Sequence, residues 1–454
     1  MRIFRHYVEP ALLALGLIEL ASFLACFYIG YFARYADLQM ISSELRAHAL
    51  PALVYASVMS ASFLATGLYE RAAVGDMRTV AIRMLAAFVL GFVVLAVLVY
   101  VFRGLDIWRS ALVIAIPASA ALALGIRRIF LWLVGRDAFR RRILVLGDAE
   151  GVARLRALEG ALGLAPFRVV HTILSSEALG GANDEEHLLA LCRAERIDEI
   201  VVATRERRGC LPVRALLRCR LAGVPVSEYE TFFERQTGRV DLDWIRPGWL
   251  IFGEGFTQGS LDAFAKRLID VSCAAVGLVF FAPLLLLAAL LIKLEDGGPV
   301  LFRQIRVGRN GVPFSMLKLR SMRIDAERDG PRWAARDDRR ITRIGRILRR
   351  TRIDELPQLI NVLRGEMSFV GPRPERPEFV ALIARELPLF SERHRVRPGL
   401  AGWAQLHHPY AASVEDTRTK LEYDIYYVKN WSLFLDLLIL AQTLRVVVWG
   451  NGAR

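Results

Sequence analysis

Cysteine is scarce and unpatterned: Cys26, Cys192, Cys210, Cys219 and Cys273 are the five in the chain, and none forms a Cys-x-x-Cys pair. A disulfide framework and a zinc site are excluded as organising devices, and a reducing compartment fits. No zinc-finger spacing or other nucleic-acid motif accompanies the basic residues, so nucleic acid is not an expected partner. The chain also lacks Gly-x-Gly-x-x-Gly after its first strand pattern. That turn reads Gly147-Asp148-Ala149-Glu150-Gly151, with acids where a dinucleotide phosphate would approach, so a structural, oligomeric or regulatory role is expected there. A processive glycosyltransferase would show Gln-x-x-Arg-Trp, which is missing, and an Asp-x-Asp, which occurs only as Asp241-Leu242-Asp243 in a linker.

Acids are outnumbered, 46 against 60 basic residues, and 54% of the chain is hydrophobic, for a formal charge of +14. High apolar content with strong basicity suits a membrane protein whose aqueous parts meet anionic lipid or phosphorylated substrates. Residues 11–32, 51–68, 84–102 and 111–134 are each near the ~20 residues a spanning helix needs. Arg2, Arg5, Arg71, Arg78, Arg83, Arg127, Arg128, Arg136, Arg140, Arg141 and Arg142 gather on one side of these spans, against Arg34, Arg46, Arg103 and Arg109 on the other. The positive-inside rule then puts the amino terminus and residue 140 in the cytoplasm. Further spans follow the amino terminus too closely for it to be a cleaved signal peptide. Glu19, inside the first span, is expected to make a helix-packing contact.

Strand and helix patterns then alternate: 143–147, 167–174, 199–203 and 224–226 read as strands of a small parallel sheet. The expected division is a four-helix transmembrane region over 1–139, a Rossmann-like domain over 140–232, a Gly- and Pro-containing linker over 233–259, and a last domain over 260–454. Within the last, residues 268–292 are apolar but have basic flanks on both sides. A full span would carry an arginine-rich domain outward, so a re-entrant helix bent at Pro283 is expected, although Ala282 offers no hydroxyl to stabilise the bend. Residues 431–449 read as an amphipathic helix lying in the interface, with Tyr426, Tyr427 and Trp431 suited to the interfacial belt.

The most informative stretch is Arg349-Arg350-Thr351-Arg352-Ile353-Asp354-Glu355-Leu356-Pro357-Gln358. Leu356, Leu359, Ile360 and Leu363 are spaced as a helix face, and Pro357 belongs to a first turn. The helix should therefore begin at or just before the carboxylate pair, where the helix N-terminus and nearby arginines keep both groups ionised. Such a carboxylate can cap the helix, attack phosphorus or hold a divalent cation.

Downstream run Asn361-Val362-Leu363-Arg364-Gly365-Glu366-Met367-Ser368-Phe369-Val370-Gly371-Pro372-Arg373-Pro374-Glu375 and Arg397-Pro398-Gly399. Upstream stands Met316-Leu317-Lys318-Leu319-Arg320. Over roughly the last 195 residues these motifs resemble the bacterial sugar transferase family, the polyprenyl-phosphate sugar-1-phosphate transferases, in its large multi-domain form. The resemblance implies a membrane protein of α plus α/β class, with four amino-terminal transmembrane helices, a Rossmann-like domain, and a mostly helical catalytic domain carrying a re-entrant helix and interfacial amphipathic helices. It implies transfer of a sugar 1-phosphate from a UDP-sugar to undecaprenyl phosphate on the cytoplasmic face of the inner membrane, with Asp354 as nucleophile, Mg2+ near Asp354, and Glu355 assisting the acceptor, for instance by removing its proton.

Lys318 and Arg320 share one strand face and are candidates for orienting Asp354 or holding diphosphate. Arg373, stiffened between two prolines, and Arg397 are candidate phosphate clamps. Lys266, Arg267 and Asp270 match a Lys-Arg-x-x-Asp motif of the family at the re-entrant helix, where the cations would meet lipid phosphate and Asp270 would cap or pair. Asp424 could contact the metal or nucleotide. The arginines between Arg339 and Arg352 read mostly as an electrostatic funnel. His394, His407 and His408 lack metal-ligand spacing and are expected to be structural. Membrane lipids are expected partners, and the sequence admits a homodimer.

Overall fold

The computed structural model describes residues 2–3, 6–7, 10–35, 48–69, 77–102, 104–105, 107, 109–135, 140–162, 165–174, 184–205, 211–256, 259–326, 338, 340–408 and 414–449. They fall into two compact units, one running to Leu250 and the other from Ile251 onward with Arg2–His6.

In the first unit, four apolar helices stand where the sequence placed them: α1 (Pro10–Tyr35), α2 (Ala49–Ala65), α3 (Met77–Val101) and α4 (Arg109–Gly135). Of these, α1, α3 and α4 are long and apolar enough to cross a membrane, while α2 has 17 residues. Phe23, Phe63 and Phe88 interlock edge to face at their centre. Glu19 makes the packing contact expected of it. Its Oε2 accepts from Arg127 Nη2 at 2.9 Å and from the Tyr69 hydroxyl at 2.7 Å. Arg127 was counted among the flanking cations; it is instead buried, because a buried carboxylate needs a paired and hydrogen-bonded cation.

The unit continues as β1 (Arg141–Gly147), α5 (Ala149–Ala161), β2 (Phe167–Leu174), α6 (Asp184–Ala194), β3 (Glu199–Ala203), α7 (Val213–Leu221), β4 (Val226–Glu228) and α8 (Tyr229–Thr237). The strands form one parallel sheet in the order β2-β1-β3-β4, covered by helices as parallel sheets require. A Cβ on Gly147 or Gly151 would lie 2.0 or 2.1 Å from the Ala203 carbonyl oxygen, so the first turn is pressed against β3. Asp148 caps α5 by accepting from Gly151 N and also accepts from Arg205 N. The backbone donors of a phosphate cradle are thus occupied by a side chain. The core of this layer takes in Phe233 and Trp244 and so extends beyond residue 232, into what composition marked as linker.

The second unit begins with α10 (Ser260–Asp296), preceded by the short α9 (Pro247–Phe252) at the division. Next come the hairpin β5 (Leu301–Val307) and β6 (Pro313–Leu319), α11 (Arg343–Arg350), α12 (Gln358–Arg364), β7 (Ser368–Val370), α13 (Pro377–Glu386), β8 (Gly399–Ala401), α14 (Trp403–His407), α15 (Val414–Asn430) and α16 (Leu433–Trp449). Helix α10 runs unbroken for 37 residues through Pro283, so the break expected there does not interrupt it; packing on either side of the proline holds both halves. Its first half packs Ala274 and Leu278 against Met316 and Leu359, and its second half packs Ala288 and Ile292 against Leu319 and Leu348. Both halves therefore rest on the same unit.

Tyr426, Tyr427 and Trp431 are buried and do not form an exposed belt. For Tyr427 and Trp431 the reason is Asp436, which accepts from the Tyr427 hydroxyl at 2.7 Å and Trp431 Nε1 at 3.1 Å, while the Tyr426 hydroxyl bonds His6 Nδ1 at 2.9 Å. Asn361 ties α12 to the hairpin: its Oδ1 accepts from Leu317 N at 3.0 Å and its Nδ2 donates to Ser315 O at 2.8 Å. Replacing Asn361 by Ala strands these buried backbone groups. The expected loss is about 3 kcal/mol, at roughly 1–3 kcal/mol for each unsatisfied group, read as a lower unfolding temperature of the detergent-solubilised protein.

Candidate active site

The carboxylate pair lies on a turn rather than in an α-helix. Arg352 adopts a left-handed φ of 59°, Ile353–Glu355 makes a single 3-10 turn, and α12 starts only at Gln358. The expected helix start is displaced because a left-handed residue interrupts the chain and Pro357 has no N–H to donate. Pro357 itself holds the N-cap position and makes no side-chain cap bond, so capping does not account for the pair.

Glu355 Oε1 is the meeting point of three cations: Arg373 Nη2 at 3.2 Å, Lys318 Nζ at 3.4 Å and Arg352 Nη1 at 3.5 Å. Burial alone would raise its pKa, but Arg373, Lys318 and Arg352 outweigh burial and hold it down at about 2. Asp354 is shifted the other way. Burial raises it above its ordinary value, Lys318 partly offsets this, and the neighbouring Glu355 charge adds to the rise. The expectation that a helix N-terminus holds both groups down thus fails for Asp354, where the nearby cations do not outweigh burial. Its Oδ1 is buried and accepts no hydrogen bond among the described residues. Lys318, buried beneath the pair, is pushed down by desolvation against the pull of Glu355.

Arg373 is braced from behind. Arg393 donates to the Arg373 carbonyl at 2.9 Å and pairs with buried Asp424, at 2.9 Å from Nε and 2.7 Å from Nη2. Asp424 is thereby committed to Arg393 rather than to a metal or nucleotide, and it acts on the site through the arginine loop.

The other expected phosphate ligands are engaged elsewhere. Arg320 pairs with Asp296 at the end of α10, and Arg397 Nε donates to Gly365 O at 3.0 Å. Lys266 pairs with Asp436 and donates to Val370 O. Arg267 donates to Val362 O at 2.6 Å and Leu363 O at 2.7 Å, binding the carbonyl end of α12. Asp270 accepts from Ser368 Oγ and Phe369 N, both at 3.1 Å. The Lys-Arg-x-x-Asp motif is therefore a clamp fixing α10 to the unit. Pro283 lies exposed on α10, and Arg339 lies outside the described residues. His407 bonds Trp403 O and stacks on Tyr423, while His408 faces Asp416, so the adjacent pair diverges as expected.

Sequence reasoning missed Arg393 and Asn361, and it left Arg352 among the funnel residues. Asn361 carried a readable signal, a polar residue beside the apolar stripe of α12. Arg393 carried none, since its partner is distant in sequence. No cluster of three or more His, Cys, Asp or Glu suited to a metal occurs among the described residues. The orphaned Asp354 oxygen nevertheless fits Mg2+, which is commonly held by one or two carboxylates together with substrate phosphates.

The family profile described as "Bacterial sugar transferase" matches residues 261–450. The chain is 46% identical over 241 residues to the UDP-N-acetylgalactosamine-undecaprenyl-phosphate N-acetylgalactosaminephosphotransferase of Aeromonas hydrophila, covering 53% of this chain and 56% of that protein. It is 50% identical over 192 residues to the UDP-glucose:undecaprenyl-phosphate glucose-1-phosphate transferase of Caulobacter vibrioides, covering 41% of this chain and 71% of the relative. It is 34% identical over 323 residues to the undecaprenyl-phosphate glucose phosphotransferase of Komagataeibacter xylinus, covering 69% of this chain and 60% of the relative. The chain thus spans little more than half the length of the first of these relatives.

The electrostatics predict a pH dependence. An attacking carboxylate must be ionised, so the acid limb of any Asp354-dependent turnover should lie above the ordinary aspartate value of about 3.9. Lys318→Met removes the main charge holding Asp354 down, so a pH–rate profile should show that limb moving to higher pH. Movement to lower pH would contradict the arrangement.

Proposed function

As the chain belongs to the bacterial sugar transferase family, we propose that it transfers a sugar 1-phosphate from a UDP-sugar to undecaprenyl phosphate, releasing UMP. The observation that carries this reading is the unpartnered, buried Asp354 oxygen beside three converging cations. A nucleotide sugar and a lipid phosphate are both anionic and repel each other. A carboxylate nucleophile divides the transfer into two displacements, each made in the presence of fixed positive charge.

In the first displacement an Asp354 oxygen bonds to the sugar-bearing phosphorus. The bond from that phosphorus to the bridging oxygen breaks, and UMP leaves with the electron pair. In the second, an oxygen of undecaprenyl phosphate bonds to the same phosphorus, the aspartyl ester bond breaks, and the carboxylate is restored. Lys318, Arg352 and Arg373 are placed to receive phosphate oxygens. Mg2+, when bound at Asp354 together with the diphosphate, supplies further charge neutralisation.

Glu355 at about 2 is a poor proton acceptor while the cations surround it. Phosphate that draws those cations away would raise its pKa and let it assist the acceptor. Deprotonated acceptor phosphate needs no base, so holding the cations is its first role.

We read α10 as entering the membrane and returning: Asp270 near its start and Asp296 at its end are both bonded into the same unit, and the reading rests on those ties, not on a break at Pro283. The arginine-rich flanks favour a cytoplasmic catalytic face. The reaction would be the first membrane step in exopolysaccharide, capsule or O-antigen assembly. The relatives' names differ in the sugar carried, so the donor must be found by experiment.

Purified protein with Mg2+ and undecaprenyl phosphate, given a panel of UDP-sugars, should release UMP with at least one. Asp354→Asn should lose both turnover, by at least about 10³-fold given the size of nucleophile effects, and the radiolabelled phosphosugar adduct; an adduct that survives rules out Asp354 as nucleophile. Cysteines introduced after Ile292 should resist an impermeant thiol reagent in intact cells, and labelling there would eliminate the re-entrant arrangement.

A further inference from the structure

Beside the carboxylate pair lies a cavity of about 300 Å³ whose walls are almost wholly apolar. This is the small end of ordinary ligand pockets, which span roughly 300–1,000 Å³. One wall is a stripe of α10 formed by Cys273, Gly277 and Phe281, spaced i, i+4, i+8. The facing wall is Leu356 and Leu359, closed by Phe369 and Leu400. Its charged lining residues are Arg352 and Glu355, one cation of the cluster beside Asp354 and the acid that gathers it. The stripe is narrowest at Gly277, where a Cβ would already come within 3.2 Å of Leu359 Cδ1.

From this geometry we infer that the groove holds the phosphate-proximal isoprene units of the polyprenyl acceptor, an inference that rests on the transferase reading above. Charge complementarity selects the occupant. A molecule that fills the groove places its head beside Arg352 and Glu355, on which Lys318 and Arg373 also converge, so the head is a phosphate that can draw these cations from Glu355 and the tail a single slim chain. A sugar or nucleotide would leave its hydroxyl and ring nitrogen groups unpaired against leucine and phenylalanine. A tail that leaves the groove meets further apolar side chains of α10, since Val276, Val279 and Phe280 are exposed at 69%, 78% and 74%. The groove thus does for the acceptor what the cations do for its phosphate: it fixes which atom approaches the aspartyl ester.

Two groove-filling variants test this, Gly277→Leu at the constriction and Cys273→Trp at the exposed edge. Each should raise KM for undecaprenyl phosphate at least tenfold. The single-turnover burst of UMP without acceptor should persist, since that displacement does not use the groove. Cys273 is also a built-in reporter, because Cys26, Cys192 and Cys219 are buried. In a Cys210→Ser background, undecaprenyl phosphate should slow N-ethylmaleimide labelling of Cys273 several-fold, whereas inorganic phosphate and phosphatidylglycerol should not. Unchanged KM in both variants, or equal protection by phosphatidylglycerol, would overturn the proposal. Should both variants misfold and lose the burst, the labelling result decides. A wild-type protein without burst or adduct would instead sink the transferase reading, which the groove variants leave untouched.

Discussion

One carboxylate makes the site possible. Lys318, Arg352 and Arg373 come from a strand, a left-handed turn and a proline-bounded loop, and like charges brought together in a partly dry place repel strongly. Glu355 Oε1 lies within 3.5 Å of all three and supplies the counter-charge. The depressed pKa of Glu355 and the raised pKa of Asp354 belong to this one arrangement. The three cations are spent on one acid, so its neighbour is left buried with an unsatisfied oxygen. Two adjacent residues of nearly identical chemistry thereby acquire opposite electrostatic states, which is what the proposed division of tasks between them requires.

Around that centre, cations serve mainly as fasteners. Arg267 holds the end of α12, Lys266 and Asp270 fasten the start of α10, and Arg320 fastens its end through Asp296. The apolar helix is thus tied at both ends to the unit that carries Asp354. Such ties suit a site built on rigid elements, because a carboxylate on a short turn has few local contacts to keep it in place. Asp424 and Arg393 do the same for Arg373 from the opposite side.

Local pattern carried most of the fold. The strands 167–174 and 199–203 lie where their apolar and β-branched runs put them, and the four amino-terminal helices follow from apolar length. The carboxylate pair, Lys318 and Arg373 were legible because their motifs stand out from composition. What stayed hidden was pairing at long range. Glu19 with Arg127, Lys266 with Asp436 and Arg393 with Asp424 join residues between which no period or spacing runs. The same gap misplaced Tyr427 and Trp431, since an aromatic ring with a polar tip suits a membrane interface and a core equally well. The acceptor for that tip decides between them, and Asp436 was readable only as an interruption in an apolar run.

The resting site can also be read as a substrate complex with Glu355 in the place of a phosphate. Its oxygen takes the three contacts that a diphosphate oxygen would take, so an entering substrate competes with a side chain already there. Each cation that moves to the substrate leaves Glu355 less compensated and raises its proton affinity. A carboxylate unable to take a proton in the empty site would gain that ability as the site fills. Acid–base capacity would then appear only when a phosphate is present to use it, and Asp354 would meet a substrate whose charge is already matched. The groove beside Glu355 extends this logic: on the proposed reading, an apolar tail held there would keep water from the face where an aspartyl intermediate would hydrolyse.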